Sequence, residues 1–156
     1  MLSPVERAIT ALPAAQLVLA LRCGDYTACE VNGAFSHRAA LAHQLTNCLC
    51  ELDFAAATTR AQQLDAYFRQ HHRPLGPLHG LPISLMDRFH VAGLDSACGF
   101  ASWTGSPKTI DDEGLLLRAL RHAGALIYCK TNVPMGALVR RFWPTESRTC
   151  FCCPDD

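Results

Sequence analysis

The side chains able to do chemistry gather behind two short apolar runs. The first run, Ile83-Ser84-Leu85, follows the turn-rich approach Gly76-Pro77-Leu78-His79-Gly80-Leu81-Pro82 and leads into Met86-Asp87. The second, Ala125 to Cys129, leads into Lys130-Thr131-Asn132. In α/β folds ligands bind beyond the carboxyl ends of the strands, so both continuations stand where chemistry is done. The only lysines are Lys108 and Lys130. A buried, neutral lysine is a general base; a thioether, as at Met86, is not one at any pH. Asp87 reads as a loop-ordering side chain that accepts backbone N–H bonds, and Thr131-Asn132 as closure of a turn.

Other reactive residue types are placed less well. Cys150 and Cys153 make one Cys-x-x-Cys pair. A zinc site needs a second pair or two histidines at suitable spacing, and His122 is the nearest histidine. No metal and no cofactor are expected. His71-His72 falls at a helix end, where positive charge meets the negative pole of the dipole. The nine cysteines are odd in number and lack framework spacing. Most lie in apolar segments as small hydrophobes, and reduced thiols agree with a cytoplasmic address.

The elements that must position these residues follow from capping and periodicity. Ser3-Pro4-Val5-Glu6 has the form of a capping box with proline at the first helical position. A second helix is predicted over Ala14 to Cys23, with Leu17, Ala20 and Leu21 on one face and Gly24 as its stop. Thr27-Ala28-Cys29-Glu30 is another capping box. It opens a helix to about Gln44 with Val31, Phe35, Ala39 and Ala42 on its apolar side. Cys48 to Phe54 partly alternates and can form a strand. Ala55 to His71 is rich in helix formers, and Arg73-Pro74 ends that helix. Phe89 to Ala101 reads as irregular, with turn points at Gly93 and Gly99, and Ser102 to Pro107 as a loop. Asp111 or Asp112 is expected to cap a helix to about Ala123 that buries Leu116, Ala119, Leu120 and Ala123. Strand, helix and parallel strand then make a βαβ unit. Two strands, apolar throughout, call for neighbours on each side and cover on both faces. The fold class is α/β: a helical N-terminal layer followed by a βαβ unit.

Composition bounds the function. The chain has 156 residues, 49% apolar and 18% charged, enough for one domain with a core. Lys+Arg and Asp+Glu number 14 each, so neither nucleic acid nor an anionic membrane surface is favoured as a partner. No apolar run approaches the roughly 20 residues that span a bilayer. Pro4, Glu6 and Arg7 interrupt any signal-peptide pattern.

The segment Gly76 to Asp87 resembles one in the amidase signature family, the serine hydrolases of carboxamides, and in particular the fungal general amidases and acetamidases. The likeness runs from about Asp25 to Pro134. It also rests on Gln44-Leu45-Thr46-Asn47-Cys48-Leu49, Asp95-Ser96, Gly99-Phe100, Ser102-Trp103-Thr104-Gly105, Gly124-Ala125 and Lys130-Thr131-Asn132-Val133-Pro134. The resemblance implies residues 1–134 as the N-terminal part of an amidase domain, an incomplete part of the amidase signature fold. It also implies a small amide as substrate and no cofactor. In the family the segment ends in Lys-Asp, and the lysine is the base that takes the nucleophile's proton through a bridging serine. Here that lysine position is Met86, while Asp87, Thr131 and Asn132 match, which implies a supporting role at the site as the alternative to their structural one, and Lys130 falls one strand away from the lysine position. The family's Gly/Ser-rich segment, with both serines and the oxyanion hole, lies downstream of the Lys-Thr-Asn strand. After Pro134 this chain has only Gly136 and Ser147 of those types. Residues 135–156 are expected to be a divergent, disordered tail produced by a frame change or retained intron, and the chain to be inactive as it stands. The rival expectation is a non-catalytic protein whose N-terminal helices pack on another subunit, as a homo-oligomer or with an intact amidase.

Overall fold

The computed structural model describes residues 1–133. The tail from Pro134, with its Cys-x-x-Cys pair, lies outside the described residues.

Both capping boxes form. Ser3 and Glu6 exchange side-chain and backbone bonds at the start of α1 (Pro4–Ala11), and Thr27 and Glu30 do so at the start of α3 (Ala28–Thr46). Between them α2 (Ala14–Cys23) ends on Gly24 at φ 81°, a left-handed conformation that glycine adopts without Cβ strain. Helix α3 runs two residues past Gln44 and is buried over a wider face than the predicted stripe. It packs against both α1 and α4, so Ala28, Asn32 and Ala34 join Val31 in the interior. Helix α4 (Phe54–His71) ends with His72 at φ 52°, one residue ahead of Arg73-Pro74. No single helix among the described residues is long and apolar enough to cross a membrane.

Among the described residues the sheet has three strands, in the order β1-β3-β2. Strand β2 (Pro82–Met86) pairs in parallel with β3 (Leu126–Thr131), as the βαβ reading requires. The candidate strand near Cys48 is realised as β1 (Leu49–Leu52), which lies antiparallel on the other side of β3. Lys130 and Thr131 therefore do not follow the second strand but are its last two residues. Pairing to neighbours on both sides extends β3 beyond its apolar run. Among the described residues the expected neighbours are met by β3 and not by β2, an edge strand there with Ser84 and Met86 exposed.

Strand β3 divides the interior. Leu126 packs with Ala28, Ala61 and Leu64 of the helical layer. Ile127, one residue on and pointing to the opposite face, packs with Leu85, Val91, Leu94 and Leu117. A third cluster, Ile9, Leu17, Leu21, Val31 and Ala34, joins the first three helices. Each leucine so buried contributes about 1.5–3 kcal/mol relative to exposure.

The crossover helix departs most from expectation. Thr109 and Asp112 form a capping box around a short 3-10 turn, and α5 (Leu115–His122) begins only after Gly114. Leu117 is its buried residue, whereas Leu116 is 54% exposed. Three consecutive leucines leave the phase of the stripe open. It is set by Arg121, which grips the buried Glu113 carboxylate with two bonds of 3.1 and 2.8 Å.

The approach to β2 is fastened to the approach to β3. Leu78 and Gly80 donate backbone bonds to Ala123 and Gly124, and Leu126 donates to Leu81, each at 2.9 Å. Gly124 holds φ 90°, and a Cβ there would stand 2.9 Å from His79 Cα. His79 is buried and its Nδ1 accepts from the Leu75 N–H at 3.1 Å, a structural role. Burial also pushes its pKa below the ordinary imidazole value.

Candidate functional site at the strand exits

Parallel register sets Met86 opposite Thr131, so the two continuations meet at one end of the sheet. The Asp87 N–H donates to Thr131 O at 3.0 Å, and Thr131 Oγ1 donates to Leu85 O at 3.4 Å. On the other flank the Asn132 N–H donates to Cys48 O at 3.4 Å, and its Oδ1 accepts from Cys50 Sγ at 3.5 Å. Thr131 thus stitches β3 to β2, and Asn132 stitches it to β1.

Asp87 turns inward to a fully buried ion pair. Its Oδ1 lies 2.9 Å from Lys130 Nζ, with the two side chains 1% and 0% exposed respectively. Its Oδ2 accepts the Cys98 N–H at 2.7 Å, which holds Cys98 in the left-handed region at φ 51°. Asp87 therefore does order the loop through a backbone N–H. The Lys130 ammonium donates further to Ser96 Oγ at 2.9 Å and to the Asp95 carbonyl. An ammonium has three N–H donors, and Asp87, Ser96 and Asp95 take all three. With every proton engaged, Lys130 is built to be a cation and not a base. Ser96 Oγ in turn donates to Phe89 O at 3.0 Å.

The electrostatics change across β3. Glu51 on β1 stands in register with Lys130. Burial, and then the Asp95 carboxylate, push its carboxyl above the ordinary value. Beside Lys130, burial raises the Cys129 thiol to about 11 and also raises the Tyr128 phenol. Neither is activated as a nucleophile. Of the cysteines in the described residues only Cys129 is buried; Cys23 and Cys48 are exposed, contrary to expectation. Cys23 closes a helix and Cys48 sits in a connection, so apolar neighbours in sequence do not enclose them. No group of three or more His, Cys, Asp or Glu side chains among the described residues could hold a metal. A cavity of about 400 Å³ between the helical layer and the sheet is lined by Ser84, Tyr128, Cys129 and Thr131, among others, and neither Met86 nor Asp87 is in its wall.

The structure thus brings together all four candidate residues, Met86, Asp87, Thr131 and Asn132, at one edge. Met86 is the exception in character: it is 43% exposed and faces outward. Sequence reasoning did not foresee Lys130 as Asp87's partner. The available signal was a lone lysine directly after an apolar run, since a buried charge must be paired.

Comparison with known proteins identifies the family and the fold. The family described as Amidase matches residues 30–142, more than half of the chain and past Pro134. This chain belongs to the amidase signature family. It is similar to the acetamidase of Emericella nidulans, at 46% identity over 88% of this chain and 25% of that protein. It is also similar to a probable amidase of Saccharomyces cerevisiae, at 40% identity over 94% of this chain and 26% of that one. Among solved structures, a fatty acid amide hydrolase superposes with a TM-score of 0.78 at 36% identity, over 85% of this chain and 23% of that one. The chain spans about a quarter of the length of these amidases.

Proposed function

We propose that this chain is the strand-exit portion of an amide hydrolase acting on small carboxamides, and that its 156 residues alone do not catalyse. The amidase half of the reading is supported by the family match and the similarity to fungal acetamidase and yeast amidase. The observation that carries the second half is position 86. It emerges exposed beside Thr131, where the resemblance places the base, and bears a thioether. The resemblance's two serines have no counterpart in these residues, so a base alone cannot complete the machinery.

Ammonia release from a panel of small carboxamides tests this, using the purified 156-residue chain and its Met86→Lys variant. Neither releases ammonia above the uncatalysed rate; turnover by the unsubstituted chain overturns the inactivity. A transcript read across the codons after Pro134 tests the hydrolase half. A frame that continues into a Gly/Ser-rich segment supports it, and a faithful stop after Asp156 moves the reading to a binding role.

A further inference from the structure

We infer that Lys130 is a positioning residue for position 86, acting through Asp87; the inference rests on the amidase reading of that position. Three separate stretches converge on the Lys130 ammonium. Asp87 ends the β2 exit, Ser96 and the Asp95 carbonyl belong to the long irregular loop, and Lys130 itself is in the central strand. Asp87 is directly bonded to the residue at position 86. Its backbone is held by Thr131 O, one carboxylate oxygen by the ammonium and the other by the Cys98 N–H. Residue 86 is therefore the last residue of an edge strand whose next residue is anchored at three atoms. Its side chain, 43% exposed, emerges from a fixed backbone. A lysine in a central strand with all its protons committed is a poor base and a good anchor, which separates the two lysine roles by strand.

A purely stabilising pair and a positioning pair differ in one observable. The chain has three methionines, so a ¹³C-methyl-methionine spectrum is simple, and Met86 is assigned by Met86→Leu. Lys130→Leu, which adds no methionine, or Asp87→Asn alone leaves one buried charge without its opposite, raising the unfolding equilibrium constant on the order of 10²–10⁴-fold. The double variant removes both charges and recovers most of that stability. The expected result is that the Met86 methyl in the folded double variant nevertheless moves toward its random-coil shift and loses order. A parent-like Met86 shift and order parameter in that variant overturns the inference. If the substituted chains do not fold, amide exchange on the unsubstituted chain decides. The Asp87 and Cys98 amides are expected within about tenfold of the protection of the central β3 amides, because the anchor opens only with the core. A hundredfold weaker protection overturns the anchor. Neither readout depends on hydrolysis, so failure of the amidase reading and failure of this inference are told apart.

Discussion

The ends of β2 and β3 lie side by side, run in the same direction, and differ in almost every physical respect. At the end of β3 a lysine is wholly buried, ion-paired and bonded through every proton. At the end of β2 a methionine is 43% exposed on an edge strand. The difference teaches that a lysine near an active edge is not by itself a candidate base. Position in the sheet decides whether the residue type is under structural or chemical demand. Burial without a partner is prohibitive for Lys130, while Met86 is 43% exposed to water and has no such demand to meet.

The sharpest way to break this comparison is to remove the buried cation. Lys130→Met strands the Asp87 carboxylate and is expected to cost about 3–5 kcal/mol in urea unfolding; a loss under 1 kcal/mol would mean that the pair is solvated. Next in size is Gly124→Ala, two residues before β3. It combines a positive φ with a Cβ 2.9 Å from His79 Cα, and a loss of about 2 kcal/mol is expected in the same assay.

A third test lies away from both exits. Glu6 Oε1 contacts His37 Nδ1 at 2.8 Å, and that bond, with those to Ser3, lowers the Glu6 pKa to about 2. A depressed carboxylate stabilises the fold above its unfolded value, near 4.5, and that contribution is lost as pH falls towards 2. Tyr26 fluorescence and α1 amide exchange should therefore be flat above pH 4.5 from this source and change below it. The wild-type-minus-Glu6→Gln difference isolates the effect, and a difference that persists unchanged at pH 2 would sink it.

The smallest effect is expected at the other exit. Met86→Lys should change stability by less than about 0.5 kcal/mol, because an exposed edge position accepts an ammonium in water. A cost comparable with that of Lys130→Met would show the two exits to be alike after all.

Much of the frame was legible because local chemistry decided it. The two capping boxes, the Gly24 stop and the parallel βαβ pairing follow from side chains that bond to their own neighbourhood or from an apolar run bounded by turns. The α5 stripe was not legible: Leu115-Leu116-Leu117 fits any phase, and the buried Glu113 that Arg121 holds selected one. The third strand was only a candidate, since four residues carry too little period, and its antiparallel place beside β3 depends on residues some 80 positions away. At the site, the meeting of Met86 with Thr131 followed from two apolar strands and a crossover. The Asp87–Lys130 pair did not, because no local pattern records which buried charges face each other.

The sequence by itself determined the family, the helix starts and the chemistry of each position: a thioether at 86 cannot accept a proton in any fold. The tertiary structure alone decided which oxygens meet the Lys130 ammonium, which leucine of α5 turns inward, and that β2 is an edge among the described residues. The physical reason is range. Caps and turns are satisfied within a few residues, whereas charge pairing and strand order are settled between segments brought together only by burial.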